Sequence, residues 1–376
     1  MSHSVAFVRA GTEPELPPPL FSQGALAWAK DNLFSSIPST LITLAFIAAF
    51  AWCIPPLIEW ATVKAIWVAP DGALCRQHQD GACWAFIAQK LGYLSFGSYP
   101  ESQHWRVDVV EALGAALIVW LLWPGGPGKK YGGLAFFIAY PIVSFFLLVG
   151  APALGLPQVD TLLWGGIFVS LVTALVGIVV SLPLGVLLAL GRRSQLPVVR
   201  LASVIFIEFV RGVPFITVLF MANNMLPLFL PPGWEPDRFS RPLVGIALFS
   251  AAYMAEEVRG GLQTLSKGQY EGAMALGLDY SRMMRLVVLP QALALVIPGI
   301  VNNFIGLFKD TTLVAIVGVN DFLATMDNAF KDTVWSGPSL QATGYAFAAM
   351  FYFVFCYAMS AYSAGVERRL SVGRRR

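Results

Sequence analysis

The sequence predicts an all-α integral membrane protein with about eight transmembrane helices. Its 376 residues are 57% hydrophobic and 12% charged, with a mean hydropathy of +0.67, whereas charged residues make up about 25% of a soluble domain. Several apolar runs approach or exceed the ~20 residues that an α-helix needs to cross the hydrocarbon core of a bilayer. The net charge of +3 is small, and nothing in the composition indicates a nucleic-acid partner.

The N-terminal half divides into a polar tail and a three-helix extension. Residues 1–36 are polar and rich in proline, so we expect a disordered cytoplasmic tail that is not a cleaved signal peptide. Residues 37–150 form the extension, in which a long loop, 59–107, follows the first helix. Its three spans are predicted at Ile37–Ile58, Val109–Trp123 and Leu134–Val149.

The C-terminal half contains five further apolar runs within residues 160–367 and ends in a basic tail, 368–376. Its five spans are predicted at Leu162–Leu190, Leu201–Met225, Leu243–Val258, Ala292–Phe308 and Ala342–Gly365. A further apolar stretch, Leu313–Val319, is too short to span the membrane alone.

The orientation follows from the distribution of positive charge. If both termini are cytoplasmic, the loops on that side hold about twice as many Lys and Arg residues as the loops on the other side, as the positive-inside rule requires. The loop 59–107 is then outside. The polar segment 266–291, which lies between two spans, is then in the cytoplasm.

The cysteines and histidines give no metal-binding pattern. Cys53 and Cys356 lie in apolar runs and are expected to be packing residues. Cys75 and Cys83 lie in the loop 59–107, where two free thiols and a disulfide both remain open. An extracytoplasmic position of that loop favours the bond slightly.

The polar segment 266–291 has the pattern of a short helix that binds another protein. Ser266 and Gln269 fit a capping box, which predicts a helix from Lys267. Within this helix, Tyr270, Ala273, Met274 and Gly277 fall on one face, and Gly277 suits a C-cap with positive φ. Asp279 or Ser281 is suited to cap a second helix before Pro290. An amphipathic connector on the lipid surface also fits, but large apolar anchors are few.

One motif in this segment resembles the EAA loop of the membrane subunits of ABC importers. It is Glu271-x-Ala273-x3-Gly277-x9-Val287-x-Leu289-Pro290, with Gly272 in place of the usual middle Ala and Val287 in place of the usual Ile. Three flanking motifs are similar to those of polar amino-acid uptake permeases of the histidine, glutamine and arginine branch. They are Phe209-Val210-Arg211-Gly212-Val213-Pro214, Ala255-Glu256-x2-Arg259-Gly260-Gly261 and Lys309-Asp310-Thr311-Thr312-Leu313.

The resemblance implies a five-helix type I ABC importer core at 160–367, preceded by three extra helices as in the larger permeases of general L-amino-acid transport systems. It implies a cytoplasmic coupling loop at 260–290 that binds a separate ATPase. The residues it assigns to this contact are Tyr270, Glu271, Ala273, Met274, Gly277, Leu289 and Pro290. The implied partners are a second homologous permease subunit, two ATPase subunits, a periplasmic amino-acid-binding protein and the lipid of a bacterial inner membrane.

Three polar residues in apolar surroundings are candidates for the substrate path. Glu208 and Arg211 share a helix face within a predicted span, and ionisable groups at membrane depth are functional candidates. A position at the cytoplasmic interface, as an anchor or a subunit contact, remains open for this pair. Asn303 either lines the path or forms a hydrogen bond between helices.

The sequence does not predict an enzyme. It contains no Walker A pattern, no nucleophile elbow and no metal motif, so we expect no cofactor on this chain, with ATP and Mg²⁺ bound by the partner ATPase. The alternative function is a stand-alone secondary amino-acid transporter or channel that works through Glu208 and Arg211. That alternative leaves the polar segment without a purpose, and the sequence shows no inverted repeat.

Overall fold

The structure is a computed structural model that describes residues 24–123 and 125–372. Its α-helices are α1 (Ala25–Leu33), α2 (Ile37–Ile58), α3 (Ala73–Gln77), α4 (Trp84–Phe96), α5 (His104–Leu122), α6 (Lys129–Leu134), α7 (Tyr140–Val149), α8 (Ile167–Arg192), α9 (Pro197–Gly212), α10 (Phe215–Met225), α11 (Ser240–Thr264), α12 (Lys267–Ala275), α13 (Tyr280–Met283), α14 (Leu289–Asp310), α15 (Phe322–Ala329) and α16 (Pro338–Val372). Two short strands, β1 (Gly165–Gly166) and β2 (Asn320–Asp321), pair in parallel.

Shorter helical segments join several of these helices. The π-helical ones are Glu59–Val63, Ala135–Ala139 and Met284–Val288. The 3-10 segments are Glu101–Gln103, Pro152–Leu154, Thr161–Leu163, Leu226–Phe229 and Thr311–Val317. The prediction of an all-α membrane protein is confirmed, since β1 and β2 contain only two residues each.

Within the described residues, five helical stretches are long and apolar enough to cross a membrane. They are Ile37–Val63, Lys129–Val149, Ile167–Arg192, Tyr280–Val317 and Pro338–Leu370. The pair α9 and α10 meets the same criterion only when taken together. Helices α5 and α11 lie where two more spans are predicted. Helix α5 contains Arg106, Asp108 and Glu111, and α11 contains Glu256, Glu257 and Arg259 near its end, so both are too charged to be counted with these five stretches. The predicted total of about eight spans requires α5 and α11 to cross the membrane as well, and this stays a prediction.

The described residues form two compact units, and the smaller one comprises 24–65 with 80–82. The prediction of a disordered tail over 1–36 is wrong for Ala25–Leu33, which form α1. Residues 1–23 of that prediction fall outside the described residues. A polar turn holds α1 against the start of α2, because the Thr43 and Ser39 hydroxyls donate hydrogen bonds to the Leu33 carbonyl oxygen at 2.9 and 3.1 Å.

The larger unit includes most of the region predicted as the loop 59–107, and this region is helical rather than irregular. It contains α3, α4 and the first turn of α5. We call residues 66–79 and 83–103 the cystine subdomain, because Cys75 and Cys83 are joined by a disulfide within it. Periodicity over such short helices is weak, so hydropathy alone classed the region as a loop.

The cystine subdomain packs on α15 and on the start of α16. Phe86 is fully buried and stacks with Phe330, at 5.9 Å between ring centroids. Lys90 forms an ion pair with Asp332, and the hydrogen bond from Lys90 holds the pKa of that carboxyl below its usual range. The backbone N–H of Cys83 donates to Thr343 Oγ1 at 2.9 Å. The subdomain is therefore part of the core and not a separate appendage.

Glycines allow the backbones of the cystine subdomain and the core to touch. A Cβ atom at Gly97 would lie 2.4 Å from Gly165 Cα, and a Cβ atom at Gly166 would lie 2.2 Å from the Leu94 carbonyl oxygen. Both glycines also have positive φ, +62° and +81°, where other residues are strained. The pairing of β1 with β2 occurs at this close approach.

The span predicted at Leu201–Met225 is not one continuous helix, and that α9 and α10 together cross the membrane stays a prediction. The chain bends by 111° between α9 and α10. Val213 is extended, with φ −108° and ψ 140°, because the ring of Pro214 disfavours a helical residue before it. The two halves are each apolar, and a hydropathy window that averages across Pro214 does not detect the break.

Two proline-containing spans continue through π-helical turns. Pro141 and Pro290 each follow a π-helical segment, at Ala135–Ala139 and Met284–Val288. A proline has no N–H for the carbonyl four residues earlier and its ring crowds that carbonyl, so the helix widens locally instead of ending. Pro290 lies at the second residue of α14, as predicted for the start of that span.

Helix α11 lies at the centre of the core, between α8 and α14. A Cβ atom at Gly185 would lie 2.6 Å from Met254 Cβ, and one at Gly261 would lie 2.5 Å from the Ala292 carbonyl oxygen. Small residues let membrane helices approach closely and gain dispersion contacts. The ends of α8, α11 and α14 that are nearest to α12 are therefore held together, and α12 is attached there.

Candidate functional site

The polar segment 266–291 folds into α12, a turn, and α13, which continues into α14. Helix α12 begins at Lys267 as predicted, but the capping box is wrong because the Ser266 hydroxyl accepts no hydrogen bond at the helix start. Instead, Gln269 Oε1 accepts a hydrogen bond from Gln291 Nε2 at 2.9 Å. A side chain that bonds to α14 does not reach back to its own N-cap. Tertiary contact therefore fixes this end of α12.

The other end of α12 has the geometry predicted for Gly277. Its φ is +73°, and its N–H donates to the Met274 carbonyl oxygen at 2.9 Å, while the Leu278 N–H donates to the Ala273 carbonyl oxygen at 3.2 Å. These two bonds define a Schellman motif, which satisfies carbonyls that the helix leaves open. Asp279, one of the two predicted caps, accepts a hydrogen bond from the Arg282 N–H at 2.8 Å and starts α13.

One face of α12 is attached to the ends of α8 and α11. Ala273 is buried, with 4% exposure. The Tyr270 hydroxyl donates to the Leu262 carbonyl oxygen at 3.2 Å and accepts from Arg193 Nη1 at 2.9 Å. The Arg193 guanidinium also lies 5.5 Å from the centroid of the Tyr270 ring, a distance typical of a cation–π contact.

The rest of helix α12 is exposed. We call Glu271, Met274 and Leu276 the α12 surface, since Glu271 is exposed and the other two side chains are 56% and 82% exposed. The predicted single face is therefore divided, because Tyr270 and Ala273 point inward while Met274 and Gly277 are exposed. Burial is centred between Tyr270 and Ala273, which leaves Met274 at the edge of the buried face.

Leu289 and Pro290, the last residues of the motif, lie at the start of α14. Leu289 is half-buried beside the fully buried Val288, and Pro290 is exposed. They belong to the base of the segment, because Leu289 packs with the apolar cluster that also contains Ala273. In the structure they are separate from the α12 surface.

Arginines and carboxylates from three helices form a cluster beside α12. Glu256 of α11 is bound by Arg259 at 2.6 Å, by Arg192 of α8 at 3.0 Å and by Arg211 of α9 at 3.5 Å. We call these residues, with Glu208, the arginine cluster. Its centre is shielded from solvent, since only 13% of the Glu256 side chain is exposed.

The structure does not pair Glu208 with Arg211, although they share a helix face. Glu208 accepts a hydrogen bond from Arg192 Nη1 at 2.8 Å, and Arg211 contacts Glu256 and lies 5.4 Å from the centroid of the Tyr253 ring. Sequence reasoning missed Arg192 as the residue that bridges Glu208 and Glu256. The spacing of residues along one helix does not reveal which neighbouring helix supplies the partner.

A polar chamber of about 300 Å³ lies between α8, α10, α11 and α14. Asn303 is on its wall, whereas Glu208 and Arg211 are not. The Asn303 Nδ2 atom is buried without a hydrogen-bond partner among the described residues. The other polar residues that line the chamber are Ser181, Ser250, Tyr253, Asn302 and Asp310. The ring of Tyr253 connects the chamber to Arg211 and so to the arginine cluster.

We expect opposite effects from alanine at the two exposed glycines of the motif. A Cβ atom at either position meets nothing within 4 Å, but Gly277 has positive φ whereas Gly272 is helical. Gly277→Ala should destabilise the end of α12 by about 1–2 kcal/mol, and Gly272→Ala should stabilise the helix by about 0.5–1 kcal/mol.

Hydrogen exchange of the α12 amides in the full chain measures both changes. Protection should fall by about tenfold in Gly277→Ala and rise in Gly272→Ala. The asparagine variant of Gly277 should lie between the alanine variant and the wild type, because asparagine tolerates the left-handed region better. Equal protection in the two alanine variants would contradict the role assigned to Gly277.

Comparison with known proteins places this geometry in a family. Residues 181–372 match the family described as binding-protein-dependent transport system inner membrane component. This match includes the end of α8 and all of α9 to α16, and therefore the α12 surface, the arginine cluster and the polar chamber. The match begins within α8, while the relatives described next cover nearly the whole chain.

Two relatives extend across the N-terminal extension as well. The inner membrane amino-acid ABC transporter permease protein YhdY of Escherichia coli (strain K12) is 46% identical over 363 residues, which are 96% of this chain and 98% of that protein. The glutamate/glutamine/aspartate/asparagine transport system permease protein BztC of Rhodobacter capsulatus is 39% identical, over 97% and 98% of the two chains.

A solved structure described as an amino acid ABC transporter with histidines is also similar to this chain. It is 28% identical, with a TM-score of 0.47, and the match covers 54% of this chain and 92% of that one. The family match and the two full-length relatives agree with the motifs in the sequence. The chain belongs to the family of binding-protein-dependent transport system inner membrane components, the membrane-spanning permease subunits of ABC transporters.

Proposed function

We propose that this chain forms half of the translocation pathway of an ATP-driven amino-acid importer and couples to a separate ATPase subunit through the α12 surface. The observation that carries the proposal is the division of α12 into two faces. One face is held by Arg193 and Leu262, and the other exposes Met274 and Leu276. Exposed apolar side chains on a short polar helix are typical of a surface that binds a protein partner.

The contacts of α12 supply a mechanical route from the ATPase to the pathway. A displacement of α12 is transmitted to α8 through Arg193, to α11 through Leu262 and to α14 through the Gln269–Gln291 hydrogen bond. The same three helices supply walls of the polar chamber. We therefore propose that closure of two ATPase subunits moves these helices and changes the side of the membrane to which the chamber opens.

The names of the relatives support amino acids as the transported class, and the polar chamber is the proposed path. Asn303 is the path residue that we favour, because it lies on the chamber wall with an unpartnered amide nitrogen. Glu208 and Arg211 are proposed to act from the arginine cluster, where Arg211 contacts the Tyr253 ring that lines the chamber.

The proposed assembly has α12 and both termini on the cytoplasmic side of a bacterial inner membrane. The excess of Lys and Arg in the loops on that side supports this orientation. The partners are a second homologous permease subunit, two ATPase subunits and a periplasmic amino-acid-binding protein. The cystine subdomain then faces the periplasm, where its disulfide is stable.

Glu271→Lys should abolish association with the ATPase, because it reverses a charge at the centre of the α12 surface without removing a buried contact. Glu367→Lys is the matched control, since Glu367 is exposed on α16 and the same substitution there is far along the chain from α12. The measurement is co-purification of the ATPase with each variant, with the amount of inserted permease as reference. Retention of the ATPase by Glu271→Lys would refute the docking proposal.

Thiol labelling tests the orientation of the cystine subdomain. In a background that carries Cys53→Ser and Cys356→Ser, a membrane-impermeant maleimide should label Cys75 and Cys83 in intact cells only after a reductant is added. The reason is that the two sulfurs are bonded and are proposed to face the periplasm. Labelling that requires cell lysis would reverse the orientation, and labelling without reductant would show that the disulfide is absent in the cell.

Asn303→Leu should reduce substrate uptake by roughly tenfold, because the amide on the chamber wall is replaced by an apolar group of similar size. Binding of the ATPase should be unchanged, since Asn303 is remote from the α12 surface in the sequence and lies on the chamber wall. Asn224→Leu, at an exposed position of α10 outside the chamber lining, is the control. Transport assays in proteoliposomes with the complete complex make this measurement, and wild-type uptake by Asn303→Leu would exclude Asn303 from the path.

A further inference from the structure

A second and larger cavity, of about 830 Å³, lies between the N-terminal extension and the core. We call it the α7–α8 cavity, because those helices supply most of its walls, with further residues from α5, α11 and the segments 158–164 and 237–239. Its side walls are mainly apolar, with Leu148 on α7 and Val172 and Val176 on α8. The proposed transport function does not use this cavity.

The position of the cavity matches the hydrocarbon region of one leaflet. It extends along α8 from Val172 to Val180, a length of about 12 Å at the helical rise of ~1.5 Å per residue. One leaflet supplies about half of the ~30 Å hydrocarbon core. Phe145 and Val180, at the border, are 59% and 39% exposed, so the cavity opens sideways between spanning helices.

Tyr140 and Ser144 of α7 contribute hydroxyl groups to the side wall, and the remaining polar groups of the cavity lie near Trp164 at one end. Trp164 lines the cavity there and is 5% exposed, and its indole N–H has no acceptor among the described residues. The ring is held between Phe168 and Phe239, at centroid distances of 5.6 and 5.2 Å. A buried donor without an acceptor is costly, and this fixed ring cannot turn its N–H to another acceptor. The geometry calls for an acceptor supplied by an occupant.

The charged residues that line the cavity, among the described residues, are two carboxylates at the same end. Asp160 and Asp237 are both exposed. Asp237 Oδ1 accepts a hydrogen bond from the Thr161 hydroxyl at 2.7 Å, and Asp160 Oδ1 accepts one from the Leu162 N–H at 2.9 Å. These bonds fix the carboxylates without neutralising them. An occupant that reaches this end is therefore favoured if it carries a positive charge.

We propose that the α7–α8 cavity binds a membrane phospholipid with an ethanolamine head group. One acyl chain fills the apolar cavity, an ester carbonyl oxygen accepts the hydrogen bond of the Trp164 indole, and the ammonium group lies beside Asp160 and Asp237. A free amino acid does not suit this cavity, because its carboxylate would be buried among apolar side chains or beside two carboxylates, and the charged lining residues among those described include no cation. The lipid then connects α7 of the extension to α8 and α11 of the core.

The experiment uses the full chain in lipid nanodiscs with phosphatidylethanolamine that carries a photoreactive diazirine in one acyl chain. Cross-links should concentrate on peptides from α7 and α8. Phosphatidylglycerol with the same photoreactive chain should label about fivefold less, because it lacks the ammonium group. Val176→Phe, which fills the cavity, should remove most of the labelling, whereas Val119→Phe, at an exposed site of α5 outside the cavity lining, should not.

A second variant guards against misfolding of Val176→Phe. Trp164→Phe keeps an aromatic ring and removes only the N–H, so labelling by phosphatidylethanolamine should fall by about fivefold with unchanged thermal unfolding. Equal labelling by the two lipids overturns the head-group assignment. Labelling that is spread evenly over other spans, or that survives in both cavity variants, overturns the site. A diazirine placed by substitution at Val176 that captures a partner subunit instead of lipid also overturns it.

Discussion

Three arginines from three helices surround the carboxylate of Glu256, and the order of the α12 end of the core depends on that carboxylate. Guanidinium groups that are partly removed from water need a close anion, and removal of a shared anion leaves several cations without a partner. The cluster therefore binds α8, α9 and α11 into a single body. Arg193, next in sequence to Arg192, continues this connection to Tyr270 of α12.

This arrangement separates two tasks that the sequence motif combines. Tyr270 and Ala273 attach α12 to the core, while Glu271 and Met274 face outward. Because one side of α12 is bonded directly to the core, a force applied to its exposed side reaches the spanning helices. In this described part of the chain, no flexible linker lies between them to absorb the movement. The hydrogen bond between Gln269 and Gln291 adds α14 to the same connection.

The features that the sequence predicts well are those set by local chemistry. The span at Ile37–Ile58 follows from hydropathy, the positive φ of Gly277 from the needs of a helix C-cap, and the start of α14 from Pro290. In each case neighbours along the chain decide the outcome. The α12 motif was detectable for the same reason, because its residues are close in sequence.

The features that the sequence does not predict depend on partners that are distant in the chain. Glu208 and Arg211 were grouped by helical spacing, but Arg192 and Glu256 on other helices bind them. Gln269 was predicted to bond to the N-cap of its own helix, but its side chain bonds to Gln291 of α14 instead. Hydropathy did not detect the break at Pro214, because α9 and α10 are both apolar and together have the length and composition of one span. Propensity and periodicity contain no information on which helices come together.

The cystine subdomain has a consequence for the order in which the protein is assembled. Its disulfide joins residues only 8 apart, so the covalent loop can close soon after this part of the chain is made. Its partners in the core come much later, since Cys83 and Thr343 are separated by 260 residues and Cys75 and Ser339 by 264. Contacts of such high sequence separation form slowly. The face of the subdomain that packs on α16 therefore stays uncovered until α16 has been made and has entered the membrane.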